Sequence, residues 1–469
     1  MRWREALHPV AMERVALMTP HARLRDLLVA IAAEGTVELD GAGRDAEVAV
    51  GPTPAAAALQ RSSGGAVTAA VLARTGADID AWERDGRVDL LAGEAQLEER
   101  AGRAVRRGRV AALAGWAPSD ALPVLAGRLA DVEGAVVSLP RPVGSDPPTL
   151  LPTRGVAREF APLVDTYATV PYVDLNPSVI AGLAYVLMFG MMFADAGEGA
   201  LLLVLALAIR AGRPKRLAWL RPGWLFMAGA GAASMVFGAL YGEFFGPTGV
   251  LPVLWVAPLD HPVTLMVAAM GVGACLLAVA YALGTVNRFR EGGWRLALYA
   301  PTGIAGATVF LGLGLLAGAL YLDVAPLLLA AAVLTAVGLG LAFVGLLLSA
   351  GGGAAGAAQA AVELFDLVMR ICSNLVSFVR LAAFGLTHAA IGLVVWQATT
   401  ALWAGGPAAA IVAVVVFVAG TALAFALEGL VAAIQALRLE YYELFSRVFD
   451  GEGRPFRPWH IPYDPMETP

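Results

Sequence analysis

The stretch VELFDLVMRICSNLVSFVRLAAFGLTHAAIGLVVW, Val362 to Trp396, decides the fold. It lies in an apolar run, Ala360 to Trp403, long enough to cross a bilayer as a helix. Arg380 sits deep inside that run. It is nine residues past Ile371 and more than twenty before the run ends, ~14 Å and ~30 Å of helix respectively. A guanidinium stays charged at any physiological pH. Placing it at the bilayer centre costs at least ~2.5–3.5 kcal/mol. Snorkelling spans only a few ångströms of those lengths, so the position points to a functional charge that gates an aqueous ion path. A second run, Ile411 to Phe449, contains FALEGLVAAIQALRLEYYELF and carries Arg438 near its end. There the bland reading, a charge reaching a headgroup, has more weight.

Outward from these runs, polar residues recur at helical spacing. Ser373, Ser377, Arg380 and Thr387 fall on one face, flanked by Asn374 and His388. In the last run Gln435 and Arg438 form an i,i+3 pair, and Glu428 lies ten residues before the arginine. Small residues between Glu428 and Leu437 would let a neighbouring helix approach closely. His388 reads as a satisfied core histidine or as a proton carrier. Glu363 and Glu428 read as half-channel carboxylates or as helix-end ion-pair partners. Glu198 and Glu243 read as solvated loop carboxylates.

The 469 residues are 58% apolar with a mean hydropathy of +0.69, a composition of polytopic membrane proteins. Charge concentrates in residues 1–170 and thins out over 178–440. The expectation is a small α/β (α+β) cytoplasmic domain over 1–170, then a helical membrane domain over 171–469. About eight apolar runs follow, near 178–193, 196–211, 224–240, 262–286, 299–321, 325–350, 360–404 and 407–440. Arginines cluster after runs two, four and eight, whereas the opposite connections hold Asp195, Glu198, Glu243, Asp260 and Asp323 without Lys or Arg. The positive-inside rule then puts both termini in the cytoplasm of a multi-pass protein of the cell membrane.

The N-terminal part begins with a strand at Val10–Met18, a helix at His21–Glu34 and a second short strand. A charged helical stretch runs from Arg74 to Arg109, followed by a further strand–helix–strand pattern over Ala111–Pro142 and a proline-rich linker at Gly144–Pro152. MRWREALHPVAMERVALM lacks the apolar core of a secretory leader. Lys215 is the sole lysine and its GRPKRL context does not fit a nucleotide-binding P-loop. Cys275 and Cys372 sit in apolar runs as small core residues. The net charge of −5 gives no indication of nucleic-acid binding.

Four segments together resemble the large membrane stator subunit of V-type and archaeal-type (A-type) rotary ATPases, the 116 kDa subunit family, subunit a or I. They are PPTLLPTRGVAREFAPLVDTYATVPYVDLNP (147–177), FGMMFADAGEG (Phe189–Gly199), SNLVSFVRLAAFGLTH (Ser373–His388) and LEGLVAAIQALRLEYYELFSRVFDGEGRPFRPW (Leu427–Trp459). The resemblance implies a noncatalytic, ion-translocating subunit with no cofactor and no metal, whose last two runs face a rotating proteolipid c-type ring. Arg380 would match the arginine that meets each ring carboxylate, Arg438 the second arginine of the last helix, and Glu428 a half-channel acid. His388 would match a polar channel residue, and Glu363 the acid that precedes the arginine. Peripheral stalk subunits, a central-stalk or ring adaptor subunit and lipid are the implied partners. Three departures stand out. The N-terminal part is too short for the long helical hairpin of the family. Glu198 stands where an aromatic or neutral residue is expected, and Phe378 where a tyrosine is common. A stand-alone secondary ion transporter would carry an intramembrane carboxylate paired with Arg380, or broken repeated helices. A structural membrane scaffold would not need Arg380.

Overall fold

The computed structural model describes residues 7–40, 52–63, 69–73, 76–142, 144–151, 156–213, 215–449 and 451–464. Part of the N-terminal stretch read above, and part of the segment entering the membrane domain, lie outside them. The chain forms two compact units, Pro9–Leu151 with Gly453–Pro469, and Met1–His8 with Pro152–Glu452. The first division falls at Pro152, and the C-terminal tail groups with the N-terminal residues.

The smaller unit is built on an antiparallel sheet of order β2-β4-β1-β5. Its strands are β1 (Met12–Pro20), β2 (Glu38–Leu39), β3 (Val105–Arg107), β4 (Val110–Pro118) and β5 (Ala135–Ser138), with β3 paired to β4. Val15 and Leu17 alternate inward from β1, as a half-buried strand requires. They pack with Leu27, Leu28 and Ile31 of α1 (Leu24–Glu34) and with Leu125 and Leu129, borne by a short later helix. Gly35 ends α1 in a left-handed conformation, φ +62°, that favours glycine there. The helices α2 (Pro54–Ser63), α3 (Ile79–Arg84), α4 (Val88–Gly102) and α5 (Leu122–Ala130) complete the unit. Its longest helix among the described residues has 15 residues. Trp459 and Ile461 of the tail enter the same core, and their backbone N–H groups donate to Val37 and Ala32.

The larger unit is helical: α6 (Val156–Tyr167), α7 (Ser178–Met192), α8 (Ala196–Arg210), α9 (Trp224–Tyr241), α10 (Pro262–Tyr299), α11 (Ile304–Leu322), α12 (Ala325–Ser349), α13 (Gly353–Ser377), α14 (Val379–Trp403) and α15 (Pro407–Leu439). Among the described residues six helical segments are long and apolar enough to cross a membrane. The first two expected runs form α7 and α8, each 15 residues or ~22 Å, short of a ~30 Å hydrocarbon core. The long run expected at 360–404 divides into α13 and α14 at Phe378. The Phe378 ring fills a notch at Gly273 of α10, where an added Cβ would come within 2.2 Å of the ring. α10 likewise breaks at Gly292 and Gly293, the latter at φ +68°. Large apolar side chains such as Leu311, Leu329, Val333, Val415 and Val418 point outward, as a lipid-facing surface demands.

Candidate functional site

The site begins with a buried carboxylate that the sequence placed in a loop. Asp195 caps α8, and its side chain accepts from the backbone N–H of Gly197 (2.8 Å) and Glu198 (2.9 Å). It also accepts from Phe245 (2.9 Å) and Gly246 (2.7 Å), fifty residues away. Four backbone donors thus converge on one anion at a helix N-terminus. The Ala196 N–H donates to the Glu243 carbonyl, and Gly238 lets the α8 N-terminus approach α9 to a distance no side chain would allow. This clasp carries Glu198 and Glu243 into the protein. Both are only 3% exposed, which corrects the reading of them as solvated loop carboxylates.

Across from this clasp, His388 of α14 and Glu428 of α15 are joined by a hydrogen bond between Nδ1 and Oε2. Phe193 lies against the imidazole at 5.1 Å between ring centres. Glu198, Gly246, His388, Gly392, Thr421 and Glu428 line a common narrow cleft. One oxygen each of Glu198, Glu243 and Glu428 is buried there or nearby without a hydrogen-bond partner. Unsatisfied buried oxygens are rare in folded proteins and call for an explanation.

Eight residues back along α14, ~12 Å of helix, stands Arg380. Its Nη1 donates to Gln435 Oε1 of α15 at 3.2 Å. Ala432 and Ala436, buried on either side of Gln435, bring the two helices close enough for that contact. Among the described residues no carboxylate is hydrogen-bonded to Arg380. Arg438 is exposed one turn beyond Gln435, with neither an ion pair nor a hydrogen bond among the described residues.

A second acidic group lies on the other side of Arg380. The chain after α15 continues through a π-helical turn, Glu440–Phe445. Glu443 of that turn is buried beside Ser377, within electrostatic reach of Arg380 and Arg438. Glu440 is fully buried with both carboxylate oxygens unpartnered. Of the residues singled out from sequence, Arg380, Gln435, His388 and Glu428 gather along the α14–α15 seam, and Ser377, at the end of α13, lies beside Glu443. The Ser377 hydroxyl donates back to Ser373 O (3.0 Å) and that of Thr387 to Ala383 O (2.9 Å). Glu363 is not brought to the seam. It accepts from Gln359 (2.9 Å), one turn away on its own helix. Among the described residues no group of His, Cys, Asp and Glu side chains is set to hold a metal ion.

Sequence reasoning passed over Asp195, Glu198, Glu243 and Glu443. The glycine-rich FADAGEG was the available signal for the first two, since small residues beside acids permit close helix approach. Glu443 had none, because a π turn shifts it off the face that 3.6-residue spacing assigns.

The family model of the V-type ATPase 116kDa subunit family matches residues 104–249 and 358–461. The chain is 27% identical over 371 residues to the A-type ATP synthase subunit I of Thermococcus kodakarensis, covering 74% of this chain and 54% of that protein. It is 29% identical over 353 residues to the A-type ATP synthase subunit I of Aeropyrum pernix, covering 64% and 50%. A shorter match, 37% over 108 residues, is to V-type ATP synthase subunit I 2 of Treponema pallidum, covering 23% and 22%. The chain spans about half the length of the curated relatives it matches. The family match covers more than half of the chain, which belongs to the V-type ATPase 116kDa subunit family.

Proposed function

We propose that this member of the V-type ATPase 116kDa subunit family is the ion-translocating stator subunit of a rotary ATPase. One observation carries the reading: Arg380 lies half-buried among apolar helices, and its hydrogen bond goes to a neutral amide. A permanent cation in such a place needs a counter-charge. The carboxylate of a proteolipid ring, passing along the exposed apolar side of α14 and α15, supplies it.

The acidic groups on either side of Arg380 then serve as two half-channels. His388 and Glu428 pass protons on one side; Glu443 and Ser377 serve the other. A proton entering one half-channel neutralises a ring carboxylate, which can then turn through lipid. On returning to Arg380 the carboxylate is drawn to the guanidinium and releases its proton into the other half-channel. Gln435 orients the guanidinium, and Arg438 adds positive charge at the Glu443 side. The cation also denies a straight path to hydrated protons, so flow requires rotation.

The subunit is noncatalytic, and ATP chemistry belongs to other subunits. The membrane domain lies in the cell membrane with both termini cytoplasmic. The cytoplasmic domain, residues 1–170 by composition, takes the peripheral stalk and the ring adaptor. Arg380→Ala tests the reading in vesicles containing the whole complex, by ATP-driven proton uptake. Uptake abolished in an assembled complex supports it. Uptake retained makes Arg380 a structural charge and favours a transporter or scaffold.

A further inference from the structure

Glu198 is not needed by the stator reading as stated, yet it is the least explained side chain near His388. Three structural roles for it fail. It is not a solvated carboxylate, because it is 3% exposed. It is not half of an ion pair, because no cation contacts it among the described residues. It is not a capping-box glutamate, although its place in the first turn of α8 allows that. In a capping box its carboxylate would accept from the Asp195 N–H, but that group donates to Phe193 O (3.1 Å).

Meanwhile Glu198 lines the same cleft as His388 and Glu428, and its Oε2 is buried there without a partner. The titratable groups around it are Asp195 at the cap, His388 on α14 and Glu428 on α15, and Glu243 after α9 lies near His388 and Asp195. Asp195 is already fixed by four backbone donors, so it is not an exchanging group. A buried carboxyl whose unpartnered oxygen faces a cleft shared with an imidazole and a second carboxyl is placed to take up and give back a proton.

We propose that Glu198 is a further proton-carrying residue of the His388–Glu428 half-channel, accepting a proton and handing it across the cleft to that pair. The step moves one proton between carboxylate and imidazole or carboxylate, with no bond to heavy atoms made or broken. Asp195 acts only as a positioning residue, holding the first turn of α8 so that Glu198 faces the cleft. The inference rests on the stator reading.

The test measures ATP-driven proton uptake by vesicles containing the whole complex, across a range of pH, for Glu198→Gln, Glu198→His and Arg380→Ala. The expected result is an uptake rate reduced about tenfold by Glu198→Gln. Glu198→His, which restores a titratable group of different affinity, recovers much of the rate with a displaced pH profile. Equal rates and an unmoved pH profile in Glu198→Gln and Glu198→His overturn the proposal while loss of uptake in Arg380→Ala leaves the stator reading intact. Uptake surviving in Arg380→Ala overturns both. If Glu198→Gln fails to assemble, the pH profile of Glu198→His decides, and an unmoved profile overturns the proposal.

Discussion

Several buried carboxylates are held in contrasting ways by the two units of this chain. In the smaller unit Glu94 of α4 is gripped by both arms of Arg25, at 2.9 and 2.7 Å. Asp464 of the tail pairs with Arg87, which also binds Asp89 at 2.9 Å. In the larger unit Glu198, Glu243, Glu428 and Glu440 each keep at least one buried oxygen without a partner. A paired buried acid is a fastener, costly to break and closed to exchange. An unpaired one is costly to keep, so it persists where a proton or a passing charge repays it. On the proposed function, the difference separates the acids that hold the chain together from those that exchange protons.

The largest expected effect breaks the comparison from the membrane side. Glu428→Gln keeps the shape of the cleft but removes the acid that binds His388. Proton uptake by the whole complex is expected to fall by a factor of about 10 or more, with assembly and thermal stability little changed. The matching change in the smaller unit, Arg25→Ala, leaves Glu94 buried without its partner. It is expected to destabilise the unit by about 1–3 kcal/mol, seen as a lower unfolding temperature, while uptake per assembled complex stays within about twofold. Equal effects of the two variants on transport would remove the distinction.

A smaller effect sharpens it by pH. Asp174 lies in the segment before α7, outside the membrane-spanning helices, and its pKa is pushed up to about 7, first by burial and then by Glu291 beside it. The unfolded value is about 3.9, so in the folded state the group holds a proton that the unfolded chain has lost. Its contribution to stability is therefore complete below pH ~4, declines as pH rises toward 7 and is gone above it. Asp174→Asn removes this slope. Thermal unfolding in detergent near pH 5 and pH 8 checks it: the variant's midpoint is expected to change less between the two than that of the unaltered chain.

Much of the seam was legible in sequence. Arg380, Gln435, His388 and Glu428 interrupt long apolar runs at helical spacing, and such interruptions are conspicuous in a hydrocarbon setting. Glu198 and Glu243 were not legible. A drop in hydropathy beside glycines looks like a loop, and their burial depends on Asp195 reaching backbone donors of Phe245 and Gly246 fifty residues away. Glu443 was hidden by the π turn. The tail was hidden for another reason: a proline-rich segment without periodicity carries no sign that Trp459 and Ile461 will join a core begun four hundred residues earlier. The two short helices α7 and α8 read as spans because apolar composition continues past the point where Asp195 caps the second.

The central claim is that the acidic groups on either side of Arg380 open to opposite faces of the membrane. Single cysteines at positions 377 and 387, in a chain with Cys275 and Cys372 replaced by serine, test it directly. Vesicles holding the whole complex are treated with a membrane-impermeant maleimide from one face or the other. The account predicts that Ser377→Cys reacts from the cytoplasmic face and Thr387→Cys from the opposite face. Labelling of both positions from the same face would contradict it.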